Sequence, residues 1–500
     1  MDFSYKETNI LKNESSRLIQ SEENMTEEEK KQINDTRNRF NFHVANIHDF
    51  FAHVQSAKND RNKAIIELTA EIRAFSLFLK SQHAQIYLPT SLFEEGKKLL
   101  QHELIPLICE LISNECDSPV SNTQIFISFI NLFRCLLYFF KPPHPIYLFL
   151  QTNLKKTLIY LISREIPRVT DSILGFLVYL IDGSEIASNF IFSIVSIDQL
   201  KTIVYSNFGK NKKDYKSIDC CDSSVFFIFG FSRFFIPLEK IEELFSFLLY
   251  LRQYGKKTSF KLIYKSLRNF IRMHKEQIKM LFEQNKNLKD FMIYDSKLDS
   301  KGTRRAVIDL LKTMCDFHYK MENYPISLCY DSLFDPEVGV RKKCSEFWNS
   351  AYSNNYENII MLMTKDNFIA VVNRLMELIF AEYKVALEAG KAILILFFFI
   401  PASEYMEIIK VNGFNVFRKI FEASTGEYFE NVMKIFNMIF ISAVNQGWVR
   451  NCILCFEQSD CINCLNERLE QCNEKQAQLI EAFMTNFNQQ KENLEGQKVQ

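Results

Sequence analysis

Apolar residues recur at three- and four-residue spacing through TQIFISFINLFRCLL, TDSILGFLVYLI, SFKLIYKSLRNFIR, RRAVIDLLKTMC, VALEAGKAILILFFF and FENVMKIFNMIFISA. That spacing gathers them on one side of a 3.6-residue helix, so each stretch predicts an amphipathic helix with one buried stripe. A shorter apolar stretch and a polar break come before the long ones. The short stretches begin near His102, Leu154, Asp198, Lys240, Asn287, Tyr324, Phe368, Gly413 and Asp460. Their interval, about 45 residues, is the period of stacked helical units. NIHDFFAHVQSAKNDRNKAIIELTAEIRAFSLFL supplies an earlier unit.

The ends differ from this body. Residues 1–40 are rich in Glu, Lys, Asn and Ser and predict a polar, partly disordered segment, with Thr26-Glu-Glu-Glu29 as a capping-box helix start. Residues 489–500 predict a disordered tail. No Pro/Gly/Ser-rich linker interrupts residues 41–488, which predicts one continuous structure.

Composition sharpens the fold class. With 13 glycines and 11 prolines in 500 residues, the chain lacks the turn chemistry that many short strands require, which leaves an all-α protein. It is 47% hydrophobic and 24% charged with zero formal net charge, so it can bury a large core and has no basic excess for nucleic acid. The 47 phenylalanines and 20 tyrosines fill that core. Thirteen cysteines, an odd and scattered number, read as reduced thiols of a cytoplasmic or nuclear protein. The N-terminus has no apolar run of the signal-peptide kind. AILILFFFIPA is closed by Lys391 and broken by Pro401, and IFISFINLFRCLLYFF carries Asn131 and Arg134, so neither has the roughly 18 apolar residues of a membrane span.

Two units carry a family resemblance. IIKVNGFNVFRKIFEASTGEYFENVMKIFNMIF, residues 408–440, resembles an armadillo repeat: a helix ending in an Asn-Gly turn, a second helix, a polar loop, and a third helix with Asn near its end. DPEVGVRKKCSEF resembles a HEAT repeat, with Asp335 followed by Val340-Arg341. The resemblance implies a right-handed α-solenoid of roughly nine or ten repeats. In armadillo proteins the Asn near the end of the third helix lines a concave groove and bonds the backbone of an extended peptide. By resemblance Asn131, Asn269 and Asn437 hold that place. The Trp four residues earlier, typical of nuclear-import adaptors, is replaced by Ile127, Lys265 and Met433. A Trp–Asn ladder for basic import signals is therefore not expected.

Candidate chemistry is sparse. CILCFEQSDCINC places Cys452, Cys455, Cys461 and Cys464 as two Cys-x-x-Cys pairs. Zinc knuckles usually keep such pairs about 15–20 residues apart. Here the repeat register lays Cys461 and Cys464 on Phe414 and Phe417, which makes them core residues, and no metal or cofactor is expected. The common nucleotide, acyl-transfer and metalloprotease motifs are absent, and Cys315 with His318 reads as a core thiol beside a surface imidazole. We expect no enzymatic activity.

The densest charge lies between Lys256 and Lys289, with ten Lys/Arg against Glu276 and Glu283. Lys257, Lys261, Lys265, Arg268, Arg272, Lys275 and Lys279 step by three or four, as one helical face does. With Asn269 at the groove position, Lys261, Lys265, Arg268 and Arg272 would line the concave wall. Arg268 and Arg272 would then make bidentate contacts to an acidic or phosphorylated peptide. The expected function is a non-enzymatic scaffold or adaptor that binds a protein partner. The alternative is a HEAT-type regulatory subunit of an enzyme such as a phosphatase.

Overall fold

The computed structural model describes residues 26–57, 60–88, 123–139, 154–164, 166–181, 185–210, 215–234, 238–406 and 414–496, with isolated positions besides. Among these residues there is no strand, and the fold is helix packed on helix. No helix among them is long and apolar enough to cross a membrane. The stretch beginning near His102, Cys109 and Cys116 lie almost wholly outside the described residues.

By its contacts the chain divides into two compact units, residues 1–259 and 260–500. The division falls in a short turn after Tyr254 whose composition does not mark a boundary.

In the first unit α1 (Glu27–Ser56) opens with the predicted capping box: Thr26 accepts from the Glu29 amide, and Glu29 accepts from the Thr26 amide at 2.8 Å. The polar segment thus enters its helix where the capping box predicts, and residues 27–40 lie inside it. Phe40 and Ile47 supply buried positions on it. Helices α2 (Arg61–Lys80), α3 (Thr123–Phe139), α4 (Pro167–Leu180) and α5 (Tyr215–Phe231) then pack in sequence, each on the next. Gly175 of α4 lies beneath the Arg134 guanidinium of α3 and leaves it room.

The second unit repeats the theme. Helices α6 (Phe260–His274), α7 (Lys301–Asp316), α8 (Val338–Met361) and α9 (Tyr383–Phe397) pack side by side, each on the next. Shorter helices, α10 (Lys286–Asp295) and α11 (Lys365–Leu378) among them, sit between these long ones. The unit continues through α12 (Asn415–Ala423), α13 (Gly426–Asn445), α14 (Val449–Gln458), α15 (Cys461–Leu469) and α16 (Glu474–Gly496). The last helix runs into the segment read as a disordered tail, because its polar residues form the solvent side of a helix whose Phe483 and Phe487 are buried.

Aromatic rings do fill the core. Phe436 lies 4.5 Å from Phe421, 4.9 Å from Phe417 and 4.8 Å from Phe456, between centroids. Edge-on packing of this kind adds about 0.5–1.5 kcal/mol per pair beyond area burial.

An arginine device occurs twice with nearly the same geometry. Arg304, in the first turn of α7, donates to the Leu298 and Asp299 carbonyls before it and to both carboxylate oxygens of Asp335, just ahead of α8. Arg341, in the first turn of α8, donates to the Asp335 and Pro336 carbonyls and to both oxygens of Glu382. Each arginine satisfies the turn that precedes its helix and clamps the next repeat to its own. The Asp335/Arg341 pair that carries the HEAT resemblance forms adjoining steps of this ladder.

Candidate protein-binding face

The basic stripe is shorter than the sequence predicts. Helix α6 stops at His274, Lys275 takes a positive φ of 44°, and residues 275–278 wind as a 3-10 turn. Lys275 and Lys279 consequently leave the face. Lys279 instead donates to the His318 carbonyl at 2.7 Å and pairs with Glu276. Lys257 precedes the helix, in the other unit. Lys261, Lys265, Arg268 and Arg272 remain together, because the opposite side of α6 is buried through Phe260, Ile263, Tyr264, Leu267, Phe270 and Ile271. Tyr264 anchors the helix by donating to Asp295 of α10 at 2.6 Å.

Register between the long helices is fixed by contacts on this face. Lys261 lies over Gly302 of α7, and Arg268 pairs with Asp309 one helix along. Asp309 also receives Lys343 of α8 at 3.3 Å. Lys343 bonds Glu346 at 2.7 Å, Lys342 approaches the same carboxylate at 3.5 Å, and Ser350 donates to Asp316, which Lys312 also bonds. Arg305 extends over Gly339 of α8, which has no side chain to block it.

Electrostatics divide this face into a compensated part and an uncompensated part. Burial alone would raise the Asp309 pKa, but Lys343 and Arg268 outweigh it and hold the carboxyl below its ordinary value. Burial would lower Lys343, yet Glu346 and Asp309 hold it above. Lys265 goes the other way: burial, then the like charges of Arg268 and Lys261, lower its pKa against the pull of Asp309. Lys261, Lys265 and Arg272 form no salt bridge among the described residues. The uncompensated positive charge of this face is thus Lys261, Lys265 and Arg272 on α6, with Arg305 on α7.

Arg268 does not stand free as the sequence suggests. It is held on Asp309, its side chain only 21% exposed and its Nε buried. Asn269 sits partly buried on α6, and Asn437 partly buried on α13 beside exposed Met438. Met433, which stands where the import adaptors have Trp, is buried. Asn131 and Ile127 lie on α3 of the first unit, both partly buried. Sequence reading missed Asp309, Lys343, Glu346 and Arg305, which reach the face only through interhelix register. The motifs RRAVIDLLK and VRKKCSEF contained them without showing which stripe faced α6.

At the terminal cysteines, Cys452 on α14 and Cys461 on α15 are buried, while Cys455 and Cys464 are partly exposed. Cys461 donates to the Phe414 carbonyl at 3.4 Å, and burial pushes the Cys452 and Cys461 thiols up to about 12. No three metal-ligating side chains cluster among the described residues. Cys315 is fully buried with its pKa raised, whereas exposed His318 bonds the Asn354 carbonyl at 2.9 Å. Thiolate chemistry requires the opposite environment at Cys315.

No protein-family model and no curated protein matches the chain. Among solved structures it is similar to an engineered protein from the Northeast Structural Genomics Consortium, with a TM-score of 0.61 at 11% identity over 89% of this chain and 99% of that one. A second engineered protein from the same consortium has a TM-score of 0.30 at 12% identity, over 58% of this chain and 98% of that one, too low to carry an argument. The first likeness supports an all-helical, repeat-like fold. Fold alone assigns no function.

Proposed function

We propose that the chain is a non-enzymatic scaffold or adaptor of armadillo/HEAT type that holds an acidic segment of a protein partner along the face of α6, α7 and α8. Stacked helical repeats suit this work because each unit contacts only its neighbours and leaves an extended surface. The observation that carries the reading is the clustering of unpaired charge: among the described residues three cations on α6 form no salt bridge, while Asp309, Asp316 and Glu346 of α7 and α8 are each held by cations of their own or neighbouring helices. Like charges three and four residues apart repel, so such an array costs stability that an acidic partner would relieve.

Affinity capture with the full chain tests this. The Lys265→Glu/Arg272→Glu variant should lose partners that the wild type retains, with a thermal midpoint no lower than the wild type's. Wild-type capture should also weaken as salt rises, since exposed charges are screened over about 10 Å at 0.1 M. Equal recovery by the variant would refute the assignment.

A further inference from the structure

We infer that Lys261 and Lys265 form a seat for a phosphoryl group on the bound segment, with Arg268 acting as a positioning residue rather than a ligand. This rests on the acidic-segment reading and adds the ligand's chemistry. Four cations occur on one face of α6, but they are not equivalent. Arg268 is committed to Asp309, which Lys343 also binds, so Asp309 has little capacity left for Lys265. The Arg268 guanidinium, fixed by that pair, stands as a constant positive charge beside Lys265.

Lys261 and Lys265 sit one turn apart, where Cβ atoms are separated by about 5–6 Å. Two flexible ammonium groups at that separation can converge on the oxygens of one tetrahedral anion. A phosphoryl group brings close to two negative charges and three acceptor oxygens, enough to meet both lysines, while a carboxylate brings one charge. The Lys261 stem runs against Gly302 of α7, where a Cβ would meet Cδ at 3.4 Å in ordinary contact, so the stem is placed by α7 while its ammonium group stays free to turn. Arg272, exposed about two turns beyond Lys265, remains for a neighbouring carboxylate.

The seat also predicts an unusual pairing of stability with binding. Lys265 is half-buried among like charges, so neutralising it should help the fold and harm the site. A residue kept only for packing or solubility would not separate the two.

Inorganic phosphate is the probe, titrated into the full chain against sodium chloride of matched ionic strength, with the thermal midpoint of the second unit read by tryptophan fluorescence. Phosphate should raise the wild-type midpoint more than it raises that of Lys261→Gln/Lys265→Gln, while the variant without phosphate melts no lower than the wild type. Sulfate, of the same shape and charge, should reproduce the difference. Equal phosphate shifts in the two proteins would overturn the seat. If the shifts are equal while Lys265→Glu/Arg272→Glu still loses its partners, the acidic-segment reading survives and only the phosphoryl assignment falls. If the double glutamine variant melts well below the wild type, the lysines are structural and the inference is wrong.

Discussion

Replacing Arg304 by alanine removes the more buried of the two arginine clamps. The Arg304 side chain is 13% exposed and that of Asp335 9%, with bonds of 2.7 and 3.0 Å between them. Breaking a buried pair from one side costs about 3–5 kcal/mol, because a charge is left without its partner. Asp335 keeps the Glu337 amide at 2.8 Å, which places the loss near the lower end, about 3 kcal/mol. With a urea dependence of about 3 kcal/mol per molar for a unit of this size, the midpoint should fall by about 1 M. Arg341→Ala is the internal comparison. It removes the same set of bonds, but Glu382 is 51% exposed and water takes over much of what the arginine supplied. Its midpoint should fall by less than half as much. Both tryptophans, Trp348 and Trp448, belong to the second unit, so intrinsic fluorescence follows that unit alone. Equal losses from the two substitutions would refute the argument that burial of the carboxylate sets the cost.

Further outcomes follow from the same charges and thiols. Asp309→Asn should destabilise the second unit at neutral pH by about 2 kcal/mol, since it orphans Arg268 and weakens Lys343. Because the folded Asp309 pKa lies below 3.8, its contribution is present above that value and lost as pH falls through the folded pKa; the gap between wild type and variant in acid unfolding should close below about pH 4. Lys265→Gln should raise the thermal midpoint slightly at pH 7. The folded Lys265 pKa lies below 10.5, so the unfolded chain holds more protons in between, and the wild type should regain stability relative to the variant as pH climbs toward 10.5. In the native protein a thiol reagent should label Cys455 before Cys452 and Cys461, and a preparation from zinc-containing medium should hold far less than one zinc per chain by elemental analysis. Prompt labelling of Cys461, or stoichiometric zinc, would contradict the core reading of those thiols.

Local periodicity made the helices legible. The stripe Phe260, Ile263, Tyr264, Leu267, Phe270 and Ile271 is buried as its spacing requires, and the Thr26–Glu29 capping box forms as its residue types predict. What escaped the sequence was non-local or depended on a single residue. Lys275 ends α6 by adopting a positive φ, a conformation that its residue type gives no reason to expect, and this shortens the basic stripe. Asp309 lies 41 positions beyond Arg268, and nothing in the local pattern shows that one neutralises the other. The same holds for Met433: helical register allows it to face the core as readily as a groove, and packing against neighbouring helices puts it in the core.

The most direct test of the binding face is zero-length carbodiimide coupling of the captured complex, which joins a lysine amine to a carboxylate or phosphoryl group only where the two are already in contact. Mass spectrometry of the digest should find partner acids bonded to Lys261 and Lys265 on α6, with few or no links to Lys286 and Lys289 on α10 or to Lys365 on α11. Links concentrated on α10 and α11, with Lys261 and Lys265 unmodified by the partner, would contradict the account.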